Sequence, residues 1–316
     1  MTNRTTSRVL ATATTALLAL GAAAGCSTGG AAGADPQRVD VVAAFYPLQF
    51  LAERIGGDAV RVTNLAKPGA EPHDLELSPS QVGQVSDAEL IVYLKGFQPA
   101  VDEAVAQSEG DRVFDVTGVQ PLLDATASGH NHEGEEEHGK EEQGAKDPHV
   151  WLDPTRLAGI GDQLAQRLGK ADPDHAADYT ARSAALRADL TTLDGEFNQG
   201  LQTCQRREIV TSHAAFGYLA DRYRLEQVGI TGLSPDVEPS PQRLAQVIEE
   251  AKEHRATTIF FETLVSPKVA ETIAGQVGAR TAVLDPIEGL AAGSDGDYLS
   301  VMRTNLQTLR TALSCS

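Results

Sequence analysis

The chain has 316 residues, 41% of them hydrophobic and 22% charged, with a formal net charge of −18. That length favours two domains or one large one, and the composition is that of a globular protein rather than a fibrous or disordered one. The acidic balance argues against nucleic acid or another polyanion as partner, and it suits a cationic ligand.

Residues 1–25 read as a secretory signal. Arg4 and Arg8 precede a largely apolar run, Val9 to Leu20, and small residues then lead to Gly25. The run is too short to span a bilayer as a stable helix. Cys26, directly after Ala23-Ala24-Gly25, resembles the lipid-attachment cysteine of bacterial lipoproteins, with Ala23 where Leu is usual. Residues 26–37 form a flexible tether, rich in Ser, Thr, Gly and Ala up to about Ala34. The expectation is an exported chain, lipid-anchored to the outer face of the cytoplasmic membrane.

From residue 38 strand and helix alternate. Val39 to Phe45 is a short apolar run suited to a buried strand, and Leu48 to Ile55 a helix closed by Gly56-Gly57. Strands follow over Val60–Leu65, Leu90–Leu94 and Arg112–Val116, with helices over Ser80–Ala88 and Pro99–Gln107 between them. Four strands alternating with helices predict a parallel sheet covered on both faces. Residues 124–147 break the pattern. They carry His130, His132 and His138 with six glutamates between Glu133 and Glu142 and no periodic apolar residues, which predicts a disordered, weak metal-collecting loop.

Helix resumes over Pro154–Leu168. From Pro173 to Gln202, Tyr179, Leu186, Leu190, Leu193, Phe197 and Leu201 form one apolar stripe along a helix of roughly 45 Å, a candidate spine between two lobes. The alternation then returns: strands over Glu208–Thr211, Leu225–Ile230, Thr257–Phe261 and Arg280–Leu284, helices over Ala214–Tyr223, Gln242–His254, Pro267–Val277 and Tyr298–Leu313. The expected class is α/β, with two lobes that each hold a four-stranded, mostly parallel sheet with flanking helices. The lobes span residues 38–172 and 203–316, the linking helix 173–202, and the ligand site lies in the cleft between them.

Two cysteines, Cys204 and Cys315, remain beyond Cys26. In an exported chain they read as a disulfide, tying the last helix to the start of the second lobe.

Among the eight histidines, three stand in similar places. His73 lies on a Pro-stiffened loop, Pro68 to Pro79, after the second strand. His149 lies in Asp147-Pro148-His149-Val150-Trp151-Leu152-Asp153-Pro154, a Pro-framed approach to a helix. His213 follows Ile209-Val210-Thr211-Ser212 and is expected to open the next helix. Three imidazoles and a carboxylate make a four-coordinate nitrogen/oxygen site. Zinc accepts such a set tetrahedrally, and manganese accepts it with a preference for more oxygen.

These segments, together with Phe260-Phe261-Glu262-Thr263-Leu264-Val265-Ser266-Pro267-Lys268, resemble the zinc/manganese substrate-binding lipoproteins of ABC importers, from about Val39 to Cys315. The resemblance implies two lobes joined by a rigid helix, a metal buried between them, and delivery to a membrane permease by a protein acting as a monomer. It implies His73, His149 and His213 as the first three ligands, and a third histidine with a His-rich loop goes with zinc. For the fourth ligand, many members place an aspartate at the position of Asp285. The wording Leu284-Asp285-Pro286-Ile287-Glu288-Gly289-Leu290 is closer to the zinc receptors that use the glutamate, so Glu288 is favoured. Asp285 would then cap or hydrogen-bond nearby backbone.

The rivals are a manganese receptor of the same family, a zinc hydrolase and an adhesin. A hydrolase needs an open coordination position and a base. No His-Glu-x-x-His is present, and the best base candidate, Glu262, fits equally well as a partner orienting an imidazole. No enzymatic activity is expected, and nothing in the sequence marks an adhesive surface.

Overall fold

The computed structural model describes residues 38–108, 110–125 and 145–316. The first sheet holds β1 (Val39–Ala43), β2 (Val60–Asn64), β3 (Leu90–Tyr93) and β4 (Val113–Asp115) in the order β2-β1-β3-β4, each neighbouring pair parallel. The second repeats that order with β5 (Glu208–Thr211), β6 (Glu226–Gly229), β7 (Thr258–Phe261) and β8 (Arg280–Val283) as β6-β5-β7-β8, again all parallel. Parallel neighbours need crossover connections, so both faces of each sheet are covered and inner strands such as β3 and β7 are apolar on both sides. β3 is buried at all four positions, whereas the edge strand β8 exposes Arg280 and Val283.

Helices α1 (Tyr46–Gly56), α2 (Pro79–Asp87) and α3 (Pro99–Val105) serve the first sheet. After α4 (Pro154–Ala171) and α5 (Ala176–Gly200), α6 (Gly217–Tyr223), α7 (Pro241–Glu253) and α8 (Lys268–Val277) serve the second, and α9 (Tyr298–Leu313) ends the fold. Proline in the first turn starts α1, α2, α3, α4 and α7, where its missing N–H has no intrahelical partner to lose. Side-chain caps fix several of these starts: Ser78 and Gln81 form a capping box on α2, Asp153 caps α4, Ser240 caps α7 and Asp297 caps α9.

Two elements depart from the pattern read in the sequence. The helix expected at Ala214 begins only at Gly217, because the intervening backbone is committed elsewhere. Ala214 N–H donates to the Gly232 carbonyl, while the His213 carbonyl accepts from Thr211 Oγ1 and Gln227 Nε2. His213 is therefore held in a bend and does not open the helix. The linking helix starts at Ala176, after a 3-10 turn over Pro173–His175. Asp172 pins that turn by accepting from His175 Nδ1 (2.6 Å) and Tyr179 Oη (2.7 Å), and the 25-residue helix is roughly 37 Å long instead of 45.

The predicted stripe on α5 is buried, from Tyr179 through Leu186, Leu190 and Leu193 to Phe197. It packs on α4, α1 and α9. One apolar core runs without a break from the first sheet through α4 and α5 to α6 and α9, and a smaller core covers the other face of the second sheet around Val210, Val247 and Ile259.

Candidate metal centre

Each sheet presents the carboxyl ends of its strands to the cleft, where loops leave the sheet and polar side chains gather. His73 lies on the connection from β2 to α2. Its loop is tied down by Gln98 Nε2, which donates to the Pro72 carbonyl (3.1 Å), and its ring meets Phe97 edge-on at 4.5 Å. His149 immediately precedes a 3-10 turn, Val150–Leu152, that leads into α4. His213 follows β5, and Glu288 follows β8 near the start of the long connection to α9. His149 and His213 are fully buried, Glu288 is 2% exposed, and the His73 side chain is 10% exposed.

Glu288 Oε1 lies 3.1 Å from His149 Nε2, 3.1 Å from His213 Nε2 and 3.4 Å from His73 Nε2, and the two buried Nε2 atoms are 3.3 Å apart. All four donor atoms fall within 4.8 Å of one another. Zinc–nitrogen bonds of about 2.0–2.1 Å in a tetrahedron place neighbouring donor atoms about 3.3 Å apart, so the measured separations fit one ion of that size.

The ring nitrogens facing away from this point are also committed. His149 Nδ1–H donates to Asp147 Oδ1 at 2.7 Å, and His213 Nδ1–H donates to Glu262 Oε1 at 2.6 Å. A carboxylate on Nδ1 leaves Nε2 as the donor atom and fixes the ring plane. Asp147 is itself held: it accepts the His149 backbone N–H, and its carbonyl accepts from Tyr218 Oη at 2.9 Å. Glu262 is thus used behind His213, not beside the ion position. His73 differs, since its bond to a carboxylate runs through the backbone, His73 N–H donating to Glu71.

Charge follows the same geometry. Burial pushes the His213 pKa down, but the carboxylates of Glu262 and Glu288 outweigh it and lift it to about 10. Burial likewise opposes the rise at His149, where Asp147 and Glu288 prevail. Glu288 is pushed up by burial, yet His213 and the other imidazoles hold it well below the ordinary carboxylate range. Glu71 is raised to about 8, first by burial and then by the Glu288 charge.

Asp285 does not reach the cluster. Its Oδ2 accepts from Thr263 Oγ1 and its Oδ1 from the Ile287 backbone N–H, both at 2.7 Å, in the backbone-capping role expected if Glu288 faces the cleft. Cys204 and Cys315 are disulfide-bonded, 111 residues apart in sequence. Cys26, His130, His132 and His138 lie outside the described residues. Reading the sequence alone missed Asp147 and Tyr218 as partners of the site. An Asp two residues before a ligand-type His was the available signal for the first, whereas Tyr218 carried none.

Several proteins similar to this chain are described as zinc-binding. The chain is 38% identical over 288 residues to the zinc-binding protein AdcA of Streptococcus pyogenes serotype M3, covering 86% of this chain and 56% of that one, so it spans about half of that relative's length. It is 34% identical over 303 residues to the high-affinity zinc uptake system protein ZnuA of Bacillus subtilis, covering 94% of each. The solved Zn(II)-bound ZnuA-like domain of Streptococcus pneumoniae AdcA superposes with a TM-score of 0.72 at 33% identity, covering 87% of this chain and 99% of that one. Residues 41–312 match the family described as zinc-uptake complex component A, periplasmic, and the chain belongs to that family.

Proposed function

We propose that this protein is an extracytoplasmic zinc receptor that binds one ion through His73, His149, His213 and Glu288 and hands it to the permease of an ABC importer. The observation that carries this reading is the convergence, in a buried cleft, of three Nε2 atoms on one carboxylate oxygen that lies 3.1–3.4 Å from each. Four protein ligands complete a tetrahedron and leave no position for a reacting water, unlike a catalytic zinc site with three. Softer nitrogen donors outnumber oxygen three to one, which favours zinc over manganese. Zinc is the cargo, and no chemistry is performed on it.

Export and anchoring extend the proposal. The signal-like residues 1–25 and Cys26 after Ala23-Ala24-Gly25 support attachment by lipid at Cys26. No helix among the described residues is long and apolar enough to cross a membrane, so the described part offers no second means of attachment by a spanning helix.

Calorimetric or chelator-competition titration of metal-free protein tests the reading. One tight zinc per chain is expected, with manganese weaker. His213→Ala should lose about 100-fold or more in affinity, equivalent to at least about 2.7 kcal/mol. Glu288→Ala should lose at least tenfold, and Asp285→Ala less than Glu288→Ala. An unaffected His213→Ala variant, or a larger loss from Asp285→Ala than from Glu288→Ala, would overturn the ligand assignment.

A further inference from the structure

We infer that Trp151 is a positioning residue for zinc: its indole N–H reaches across the cleft and holds the strained turn that aims Glu288 at the ion. This rests on Glu288 being a ligand.

The turn is Asp285-Pro286-Ile287-Glu288. Ile287 adopts φ of 59°, in the left-handed region, and it is the β-branched member of the four non-glycine residues with positive φ among those described. A side chain branched at Cβ collides with its own backbone in that conformation, so it persists only where the surroundings impose it. From the second lobe, Asp285 Oδ1 accepts the Ile287 N–H. The backbone of Asp285 is clamped by the Asn305 side chain, whose Oδ1 accepts from Asp285 N–H (3.0 Å) and whose Nδ2 donates to the Asp285 carbonyl (2.7 Å). These bonds secure the start of the turn.

The carbonyl next to Ile287, that of Pro286, is secured from the first lobe. Trp151 Nε1–H donates to it at 2.7 Å. Trp151 sits two residues after His149 and is 1% exposed. Phe45 lies 5.0 Å from its ring centroid and His149 5.3 Å, and the Trp151 carbonyl accepts from Tyr298 Oη at 2.6 Å. The donor is therefore fixed before any metal arrives. Removing only the N–H would leave the Pro286 carbonyl without that partner in a dry setting and free the strained peptide to turn over. Glu288 Oε1 would then leave the point it shares with the three Nε2 atoms. A tryptophan that merely fills space would be indifferent to this loss, because the ring volume is unchanged.

Trp151 is the single tryptophan of the chain, so biosynthetic replacement in a tryptophan auxotroph changes this position alone. Benzothienylalanine, with sulfur in place of N–H, preserves the ring, and 5-fluorotryptophan keeps the N–H. Zinc affinity by chelator competition and the ligand-field bands of the cobalt(II) form are the readouts. The sulfur analogue should weaken zinc at least tenfold and shift the cobalt bands in the same sense as Glu288→Gln, and the fluoro analogue should restore the native values. In a Glu288→Gln background the sulfur analogue should cost nothing further. Native affinity and bands in the sulfur analogue, beside a weakened Glu288→Gln, would overturn the role of Trp151 alone. So would losses that simply add in the combined variant. Native affinity in Glu288→Gln would overturn the ligand reading and this inference with it.

Discussion

Proton chemistry is where single residues of the site make themselves felt. In the metal-free protein the Nδ1–H groups of His149 and His213 face carboxylates, and their Nε2 atoms face Glu288, an arrangement that favours the doubly protonated imidazole. Zinc takes the place of the Nε2 protons, so binding must release them. With His213 raised from 6.5 to about 10, its contribution to metal-free stability is fully present below pH 6.5 and is lost as pH climbs through about 10. The melting temperature of metal-free protein should therefore fall between pH 7 and 10. Titrations at pH 8 in buffers of different ionisation enthalpy should show about one proton or more released per zinc. Zero release would contradict the paired arrangement. The three histidines were legible in the sequence because proline framing and strand ends mark them. Of their carboxylate partners, Glu262 was legible as an imidazole-orienting candidate but its pairing with His213, 49 residues away, was not, since only the parallel neighbours β5 and β7 bring them together, and Asp147 was missed.

Among the elements, caps and apolar runs carried most of the legible information. Runs such as Leu90-Ile91-Val92-Tyr93 read as strands because branched and aromatic residues between turn signals fit a doubly covered sheet. The misplaced start of α6 shows the limit of that reasoning. Ala214-Ala215-Phe216 has good helix-forming character, but Gly232, distant in sequence, claims the Ala214 N–H and Gln227 the His213 carbonyl before it. The left-handed Ile287 was illegible for the same reason, because tertiary bonds impose it against local preference. The cap of α4 is testable. Asp153 accepts from the Thr155 backbone N–H at 2.8 Å and is 6% exposed. Asp153→Ala should lower stability by about 1–2 kcal/mol in denaturant melts, whereas Asp153→Asn should recover most of it.

For the whole molecule, the disulfide and the zinc site lie at opposite ends of the second sheet. Cys204 precedes β5 and pairs with Cys315 after α9, while His213 leaves the other end of β5. Closing a loop of 111 residues constrains the unfolded chain by roughly 4–5 kcal/mol in the chain-entropy estimate. Reduction should therefore lower the thermal midpoint measurably and leave zinc affinity within about threefold of the oxidised protein. A collapse of affinity on reduction would show that the bridge, and not the core, sets the geometry of the cleft.

Gly69, at φ of 84°, donates its N–H to the Leu290 carbonyl at 2.8 Å, and a Cβ on Gly289 would come within 3.4 Å of the Ala70 carbonyl, so two loops from opposite lobes meet beside the ligands. With His149 and His213 fully buried, an ion held between them is shielded from solvent while that seam stays closed. A nanomolar complex that forms at about 10⁷ M⁻¹s⁻¹ has a dwell time of about 100 s. At that affinity, cargo would be lost to the medium slowly, and substitutions that loosen the Gly69–Leu290 contact should shorten the dwell time in a chelator-chase measurement.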